Sequence, residues 1–475
     1  MKVLLINPPL RNLVTTNLPD FVDTDRGFYP PLGILYLAAY AEQYTDSKIE
    51  ILDTVVEELS DDEIKQEIIR RKPDIVGITT TSFTLLDSLN VAQITKDVNP
   101  SIQVVFGGPH VHIFPEETIK YPIVDFIIRG EGEITFSELI QNIDKPEKLK
   151  QIKGLVFKNG GEIVNTGLRE FNNDLDSLPF PARHLTPYKK YYSLIAKKNP
   201  ITTMFTSRGC PYRCLYCYRP HMGKQFRVRS PENVVEEIKV CKEMGIHEIL
   251  IYDDTFNVDK KRVLAICDMI KENNISINFD IRARIDRMDK EILDALKDAG
   301  CVRIHYGIEN ANQRILDILR KGITVEQIEK VMKDTKKAGI ETLAYFMIGN
   351  PTETKEEIRN TINFAKKIKP DYAHFAITTP FPGTPLYELG LETDIVKDNW
   401  KIFAEMPTKE FVPDLWEDEL KREELTNLLE EAYKSFYLRP SYIFNRLLKI
   451  KSIKDFKRKA KAGIKLIREL LLSSY

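Results

Sequence analysis

The sequence predicts an α/β protein with two successive parallel sheets, followed by a helical carboxyl-terminal segment. Two observations support this prediction. Short apolar runs alternate with helical patterns along most of the chain, and a proline-rich stretch interrupts the alternation once. At 475 residues the chain also exceeds one ordinary domain. We therefore expect four regions, with bounds at 1–145, 146–200, 201–385 and 386–475.

The first region alternates buried strands with amphipathic helices. The predicted strands are Val3–Ile6, Ile49–Leu52, Ile75–Ile78, Val104–Phe106 and Phe126–Ile128. The clearest helical patterns between them are Leu32–Tyr44, Ser60–Arg71 and Leu85–Val98. This order is typical of a doubly wound, Rossmann-like sheet, which binds ligands at the carboxyl ends of its strands.

Those strand ends are rich in glycine and polar residues. They hold Asn7-Pro8-Pro9, Thr79-Thr80-Thr81-Ser82, Gly107-Gly108-Pro109-His110 and Gly130-Glu131-Gly132-Glu133. Each stretch alone is explained equally well by a turn or a helix cap. Taken together, they resemble the cobalamin-binding domain that precedes many radical S-adenosylmethionine (SAM) cores. By that resemblance, Thr79, Thr80, Thr81, Ser82, Gly107 and Gly108 would line the slot for the nucleotide tail.

The second region, 146–200, is expected to be a linker. Its latter part is irregular and carries prolines at 179, 181, 187 and 200.

In the third region, β–α alternation resumes over six candidate strands. They are Thr202–Thr206, Glu248–Tyr252, Asn278–Arg282, Val302–Tyr306, Glu341–Ile348 and Tyr372–Ile377. Helical patterns such as Pro231–Met244 follow the first five, and proline suits the first turn of a helix. Six such units predict a partial (β/α)6 TIM-like barrel, with its chemistry at the carboxyl ends of the strands.

Three cysteines follow the first barrel strand: Cys210, Cys214 and Cys217. A cubic 4Fe–4S cluster takes four cysteine ligands, so three at this spacing leave one iron open for a small molecule. The alternatives are a structural zinc site completed by His221, and a disulfide. Cys241, Cys267 and Cys301 each stand alone in sequence.

Charged residues lie at other barrel strand ends, where Asp253, Asp254, Arg284 and Glu309 are the candidates for ligand binding. Bare charges in a barrel mouth are costly unless they are paired or bind a ligand. A lone carboxylate at a helix start is usually a cap, and Glu353 fits a cap as well as a contact.

The run Cys210-Pro-Tyr-Arg-Cys214-Leu-Tyr-Cys217, with the strand ends above, resembles the cobalamin-dependent radical SAM enzymes from residue 1 to about 440. The resemblance implies a 4Fe–4S cluster, SAM and cobalamin as cofactors. It implies that Tyr216 packs near the SAM adenine and that Asp253 or Asp254 meets its amino group. Arg284 would meet the SAM carboxylate and Glu309 the ribose hydroxyls.

The chain departs from one pattern of cobalamin proteins, the Asp-x-His-x-x-Gly loop whose histidine ligates cobalt from below. The equivalent stretch, 53–58, has Val55 where that histidine would stand and lacks the glycine. His110 and His112 lie on another loop, where we interpret them as surface or hydrogen-bonding residues. If cobalamin binds, we expect no histidine below it. The alternative is a domain that keeps the fold without the cofactor.

Composition sets the expected surroundings. The net charge of −1 gives no electrostatic signature for nucleic acid. Few cysteines and no apolar run of about 20 residues predict a cytoplasmic protein.

The tail from Arg446 to Arg468 has ten lysines and arginines against one aspartate. Its apolar stripe consists of Ile450, Ile453, Phe456, Ala460, Ile464, Ile467 and Leu471.

That tail fits either an amphipathic helix on the anionic inner face of the membrane or a helix docked on the barrel. Four aromatic residues just before it, Tyr433, Phe436, Tyr437 and Tyr442, could pack against a hydrophobic substrate.

The function that the resemblance implies is one-electron cleavage of SAM to a 5′-deoxyadenosyl radical, followed by cobalamin-dependent carbon methylation of a small or lipid-like substrate. The electron would come from an external one-electron reductant such as ferredoxin or flavodoxin. The nearest alternative keeps both cofactors but ends in ring closure, oxidation or carbon–carbon coupling. A methylthiotransferase would need extra amino-terminal cysteines, which this chain lacks. The remaining alternative is a zinc-stabilised binding module without catalysis.

Overall fold

The computed structural model describes residues 1–15, 27–218 and 222–448. Within these residues, the two predicted parallel sheets and the helical carboxyl-terminal segment are confirmed.

The first sheet has seven strands, in the order β3-β1-β4-β5-β6-β7-β8. Their bounds are β1 Lys2–Asn7, β3 Lys48–Asp53, β4 Ile75–Thr79, β5 Gln103–Gly107, β6 Phe126–Ile128, β7 Leu155–Asn159 and β8 Glu162–Asn165. A short strand, β2 at Gly27–Phe28, pairs elsewhere. The first five strands of the order are parallel and β7 and β8 are antiparallel, so the predicted doubly wound sheet gains a hairpin at one edge.

Helices cover both faces of this sheet. They are α1 Leu32–Tyr44, α2 Asp61–Arg71, α3 Leu85–Val98, α4 Pro109–Ile113, α5 Pro115–Ile119 and α6 Glu133–Asn142. Side chains alternate between the faces along β1. Val3 and Leu5 pack with α1 and α6, whereas Leu4 and Ile6 pack with α2 and α3. The carboxyl ends of the parallel strands are therefore left for a ligand.

The stretch predicted as a linker, 146–200, differs from that expectation in its first part. It contains a short helix, α7 at Pro146–Leu149, and the β7–β8 hairpin. The two strands are joined by Gly160 and Gly161, both with positive φ (60° and 91°), which a two-residue hairpin turn of this type requires. The paired glycines between two apolar runs were the sequence signal for this hairpin. Further along, β9 at Tyr192–Ser193 pairs with β2.

The second sheet is a parallel, open barrel in the order β10-β13-β14-β15-β16-β17. Its strands are β10 Ile201–Met204, β13 Glu248–Ile251, β14 Asn278–Ala283, β15 Cys301–Glu309, β16 Glu341–Ile348 and β17 Tyr372–Ile377. A two-stranded ribbon, β11 Ser207–Arg208 with β12 Arg227–Val228, follows β10. The helices of the barrel are α8 Pro231–Glu243, α9 Lys260–Glu272, α10 Lys290–Asp298, α11 Gln313–Ile318, α12 Val325–Lys337 and α13 Lys355–Ile368. The six predicted strands are confirmed.

The carboxyl-terminal region is helical up to the last described residue. It consists of α14 Pro385–Glu392, α15 Asn399–Glu405, α16 Arg422–Tyr437 and α17 Pro440–Leu448. Trp400 and Phe403 of α15 pack with Leu85 and Phe114 of the first domain, so this region bridges both domains. No helix among the described residues has the length and apolar character to cross a bilayer. The basic tail, apart from its first turn, lies outside the described residues.

Helix α16 covers the edge strand β17 in a specific way. The Tyr433 hydroxyl accepts from the Phe375 N–H (3.2 Å) and donates to the Phe375 carbonyl (2.9 Å). Tyr437 does the same at Ala373, with distances of 3.1 and 2.7 Å. An exposed strand edge leaves such backbone groups unpaired, and here two phenol hydroxyls pair them. Tyr433 and Tyr437 therefore pack against the barrel itself and not against a substrate.

Replacing both phenols, as in Tyr433→Phe with Tyr437→Phe, removes the partners of four backbone groups. We expect the free energy of unfolding to fall by about 1–3 kcal/mol for each hydroxyl, since buried donors and acceptors lose their hydrogen bonds. Urea unfolding followed by circular dichroism measures this. Tyr44→Phe, at a position 45% exposed, is the control and should change the unfolding free energy by less than about 0.5 kcal/mol. Equal midpoints for the double variant and the control would contradict the edge-pairing role.

Candidate functional site

The segment that carries Cys210, Cys214 and Cys217, here called the cysteine loop, follows the first barrel strand, as the sequence predicts. The β11–β12 ribbon closes the loop at its base. Gly209, just before Cys210, has φ +83°, and a Cβ there would lie 2.2 Å from the Gln225 carbonyl oxygen. Glycine is therefore required at this position. Cys210 and Cys214 are buried and Cys217 is half-buried.

Asp253, one of the two aspartates predicted to meet the SAM amino group, has other partners in the structure. Its carboxylate accepts from the backbone N–H groups of Thr206 (2.6 Å) and Ser207 (3.1 Å) and from both of their hydroxyls (2.5 and 2.6 Å). The residue is fully buried. Asp253 therefore fixes the chain that leads into Cys210. Its neighbour Asp254 is exposed and makes no side-chain hydrogen bond or ion pair with the described residues.

Arg284 lies against the cysteine loop. Its guanidinium donates to the Cys214 sulfur (3.8 Å), to Asp286 (2.8 Å) and to the Lys321 carbonyl oxygen (2.5 Å). It also stacks on Tyr212 of the loop, with 3.7 Å from the guanidinium carbon to the ring centroid. Arg284 therefore holds the part of the loop that carries Tyr212 and Cys214.

Tyr216, between the second and third cysteines, is partly buried and forms a triad with two buried residues, Glu309 and Lys321. Its hydroxyl donates to Glu309 (2.8 Å), and the Lys321 ammonium contacts both Glu309 (2.7 Å) and Tyr216 (3.1 Å). Burial and the Glu309 charge raise the pKa of Tyr216, so the phenol stays protonated. The predicted residues Tyr216 and Glu309 are thus brought together at the end of β15.

The backbone around Glu309 is shaped for this contact. Glu309 has φ +65°, a strained value for a residue with a side chain. A Cβ at Gly307 would lie 2.5 Å from the Glu309 carboxylate and 2.7 Å from the Lys321 ammonium. Sequence reasoning missed Lys321 because it follows a helix rather than a strand. The only sequence signal was its place before Gly322, where a lysine is ordinary helix-end chemistry.

The other three cysteines lie apart from this loop, in the core between the barrel and its helices. Burial raises the pKa of Cys241 to about 11 and that of Cys267 to about 12, and it raises the pKa of Cys301 as well. Their thiols stay protonated, whereas metal ligands must be thiolates. Among the described residues, no three His, Cys, Asp or Glu side chains are gathered around a position for a single metal ion. His221 of the zinc alternative lies outside those residues.

We predict that Cys210, Cys214 and Cys217 supply every protein ligand of the cluster. Replacing all three with alanine should abolish iron binding after anaerobic reconstitution, measured by iron assay and visible absorption. The matched control replaces Cys241, Cys267 and Cys301 with alanine and should keep the iron. Iron near the level of a full cluster in the first variant would overturn the assignment.

The predicted cobalamin slot lies at the carboxyl ends of β4 and β5. Thr80 is fully buried and its hydroxyl has no hydrogen-bond partner in the described structure. The space above Gly107 is open, whereas a Cβ at Gly108 would meet the Thr80 carbonyl oxygen at 2.7 Å. Thr81 is used locally, since its backbone N–H donates to Thr84 (3.1 Å). An orphaned hydroxyl beside open space fits a ligand along Thr80 and Gly107, and Gly108 serves the packing of the two strands.

His110 borders the same slot and is fully buried, so the surface interpretation is wrong and the hydrogen-bonding one is confirmed. Its Nδ1 lies 3.0 Å from the Ser82 hydroxyl, and its Nε2 has no partner among the described residues. Burial lowers the pKa of His110 to about 3, so the imidazole is neutral at physiological pH. His112 is also buried.

At the start of the loop that follows β3, other side chains of the protein already occupy the Asp53 carboxylate. The Asp53 carboxylate accepts from Asn7 (2.8 Å) and from the Tyr191 hydroxyl (2.7 Å). Burial raises the pKa of Asp53 above its usual range. Val55 follows two residues later and offers no ligand atom, and the absence of a histidine below cobalamin stays a prediction.

The fourth strand-end motif connects the two domains. Glu131 pairs with Arg208 (3.0 Å) and Arg227 (2.9 Å), and Glu133 pairs with Arg208 (2.6 Å). All four side chains are at least nine-tenths buried. The two guanidiniums hold the pKa of Glu131 below its usual range even though burial acts in the opposite direction. The two glutamates of this turn thus bind the barrel, at the ribbon that carries the cysteine loop.

Arg208→Gln should lower the free energy of unfolding by about 3–5 kcal/mol, because it leaves buried carboxylates without their partner. The double variant Arg208→Gln with Glu133→Gln should recover part of the loss, since it removes a charge from each side. Urea unfolding is the measurement, with the exposed pair Arg70–Glu67 tested by Arg70→Gln as the control. A loss for Arg208→Gln no larger than that for Arg70→Gln would show that the buried ion pairs do not contribute to the free energy of unfolding.

Two family models match the chain. Residues 20–140 match the B12 binding domain, and residues 204–365 match the radical SAM superfamily. The matched ranges contain the slot and the cysteine loop, respectively.

Similar proteins cover nearly the whole chain. An uncharacterized methyltransferase of Pyrococcus horikoshii is 38% identical over 93% of this chain and 94% of its own length. The anaerobic magnesium-protoporphyrin IX monomethyl ester cyclase of Rubrivivax gelatinosus is 29% identical over 88% of this chain and 75% of its own. The solved structure of the cobalamin-dependent SAM radical enzyme OxsB, with aqua-cobalamin and SAM bound, matches with a TM-score of 0.75 at 19% identity. That match covers 100% of this chain and 72% of OxsB, and it shows the shared fold.

Proposed function

Because this chain belongs to the radical SAM enzymes that carry a cobalamin-binding domain, we propose that it methylates an unactivated carbon of a small or lipid-like substrate. The family brings a 4Fe–4S cluster, SAM and cobalamin as cofactors. The observation that carries the proposal is the junction of the two cofactor regions, since Glu131 and Glu133 of the cobalamin domain pair with Arg208, two residues before Cys210. The 38% identity to a methyltransferase supports methyl transfer as the outcome.

When bound, the cofactors supply an organic radical and a transferable methyl group. The residues of the chain bind these cofactors and orient them. We propose that Asp254 accepts from the SAM amino group, because its carboxylate is exposed while that of Asp253 is taken by Thr206 and Ser207. Glu309 keeps its predicted role toward the ribose hydroxyls, held in place by Lys321.

Two further predicted contacts are compatible with the geometry. Tyr216 has its ring beside Glu309, where it could pack on the adenine. Arg284 is committed to Cys214, Asp286 and the Lys321 carbonyl. We propose that it mainly holds the cysteine loop in position and meets the SAM carboxylate with an N–H that remains.

On the cobalamin side, we propose that Thr80 and Gly107 contact the nucleotide tail. The Thr80 hydroxyl is buried without a partner, and the space above Gly107 is open. His110, neutral and hydrogen-bonded to Ser82, would donate or accept one hydrogen bond through Nε2. With Val55 at the usual histidine position, the chain would offer no ligand there.

Anaerobic reconstitution with SAM, dithionite and hydroxocobalamin tests the function. Dithionite stands in for the external reductant, which we propose to be a ferredoxin or flavodoxin. We expect 5′-deoxyadenosine and S-adenosylhomocysteine together, because the second product records loss of the SAM methyl group. The triple cysteine-to-alanine variant should form neither product.

The outcomes separate the candidates. 5′-Deoxyadenosine without S-adenosylhomocysteine would favour ring closure or oxidation, as the similarity to the Rubrivivax cyclase allows. If the iron-loaded protein forms neither product, both candidate functions, methylation and ring closure or oxidation, are overturned.

We also propose that the basic tail brings the enzyme to an anionic membrane surface. Helix α17 leads into it with Phe444 63% and Leu448 69% exposed. Arg446, the first of the ten basic residues, is instead docked on the barrel, where it pairs with Asp371 (3.3 Å) and stacks on Tyr372. The surface-binding part would therefore begin after this anchor.

Deleting residues 449–475 should reduce sedimentation of the protein with anionic liposomes and leave SAM cleavage intact. The expected loss is large, since each basic residue near an anionic surface contributes about 1 kcal/mol. Neutral liposomes and high salt are the controls. Failure of the full-length protein to bind anionic liposomes at low salt would favour a docked helix and remove the main support for a lipid-like substrate.

A further inference from the structure

Five polar and aromatic side chains line the interior of the barrel: Tyr252, Arg282, His305, Tyr345 and His374. Arg282 is paired in register with His305, and Tyr345 with His374. His305 Nδ1 lies 3.1 Å from the Tyr345 hydroxyl, and the Arg282 guanidinium stacks on the Tyr252 ring at 4.2 Å. Alternate residues of the same strands, such as Ile281 and Phe346, point outward into the core. The five side chains, here called the lumen row, therefore face the enclosed space.

Arg282 differs from the other arginines on this inner surface. Arg303 lies 3.5 Å from Asp280 and 3.1 Å from Glu341, and Arg284 lies 2.8 Å from Asp286. Arg282 is exposed to the lumen and, within the described part of the chain, makes no side-chain hydrogen bond and no close ion pair, although its charge acts on the nearby Asp254 carboxylate. Its guanidinium is oriented by Tyr252 and its N–H groups are free to donate. A charge placed inside a barrel without a hydrogen-bonded partner suits a charged ligand.

The surroundings of Arg282 are rich in hydrogen-bond donors. Burial raises the pKa of both Tyr252 and Tyr345, so the phenols stay neutral. Tyr29, which enters from the first domain, approaches Tyr252 with ring centroids 6.4 Å apart.

Two carboxylates also lie near the lumen row. Asp280 is already engaged by Arg303 and by His305, which lies 3.4 Å away. Asp254 is the other, on the neighbouring strand end, and we have assigned it to the SAM amino group. Asp254 interacts with Arg282 through its charge but not through a hydrogen bond, so the Arg282 N–H groups remain available to a ligand.

We propose that the lumen row binds an anionic group of the substrate, a carboxylate or phosphonate, with Arg282 as the residue that recognises it. Arginine donates two parallel hydrogen bonds to either group. The rings of Tyr252 and Tyr345 would pack against the apolar part of the same molecule. The proposal rests on the proposed function for the identity of the site as a substrate site. It adds the chemical class of the substrate and the residue that selects it.

SAM also carries a carboxylate, so the test must separate the two sources of the anion. The probe is phenylphosphonate, which joins an anion to a ring. Its binding to the full-length protein loaded with cluster, cobalamin and SAM is measured by anaerobic calorimetry, and SAM binding is measured separately without the probe. Neither measurement requires turnover, so failure of methyl transfer would leave this test intact.

We expect Arg282→Gln to weaken phenylphosphonate binding at least about tenfold, because a charge-assisted pair of hydrogen bonds is lost. Arg282→Lys should fall between Arg282→Gln and the unchanged protein, since it keeps the charge without the paired geometry. Arg359→Gln, on the outer helix α13, is the matched control and should change nothing. Benzyl alcohol, which has the ring without the anion, should not distinguish Arg282→Gln from the unchanged protein. SAM affinity should stay within about twofold in all variants, and equal iron content confirms that they are folded.

Two results would overturn the proposal. One is a tenfold loss of SAM affinity in Arg282→Gln with phenylphosphonate binding unchanged, which would assign the guanidinium to the SAM carboxylate. The other is the absence of phenylphosphonate binding to the unchanged protein at millimolar concentration.

Discussion

The buried ion pairs between Glu131, Glu133, Arg208 and Arg227 set the relation between the two halves of the molecule. Arg208 belongs to the ribbon that opens into the cysteine loop, and the glutamates belong to the turn that follows β6. Buried charges tolerate little displacement, because a lost partner leaves an uncompensated ion in a poorly polarisable surrounding. These ion pairs therefore help to fix the position of the cysteine loop relative to the first domain.

A second cluster of buried ion pairs also joins the parts of the chain, further from the site. Arg183, from the stretch between the domains, contacts Glu237 of α8 at 2.6 Å and the Thr203 carbonyl of β10 at 2.8 Å. Arg229, next to the cysteine ribbon, binds the other oxygen of Glu237. What the sequence presents as a proline-rich connection is thus anchored to the first barrel strand. Domain joints made in this way favour a defined geometry over free hinge motion.

The sequence predicted the features that depend on local pattern. The positions of the strands and helices and the place of the cysteine loop follow from apolar periodicity and from spacing, and the structure confirms them. Contacts across the fold were beyond its reach. Nothing local distinguishes Asp253, which fixes the backbone before Cys210, from Asp254, which faces the lumen. Lys321 reads as a helix-end lysine until the barrel brings it to Glu309. The paired glycines Gly160 and Gly161 are a sequence signal for a hairpin, but they lie within the stretch that we predicted to be a linker.

The way β17 is closed has a consequence for the range of molecules that this scaffold can admit. A fully closed barrel has a circumference set by its number of strands, and enlarging it means breaking a continuous ladder. Here the edge is completed by the Tyr433 and Tyr437 hydroxyls, which belong to a separate helix. A shift of that helix would uncover or reposition this edge of the open barrel while every strand-to-strand hydrogen bond is kept. Sequence change in one carboxyl-terminal helix could therefore adapt the same catalytic core to substrates of quite different width.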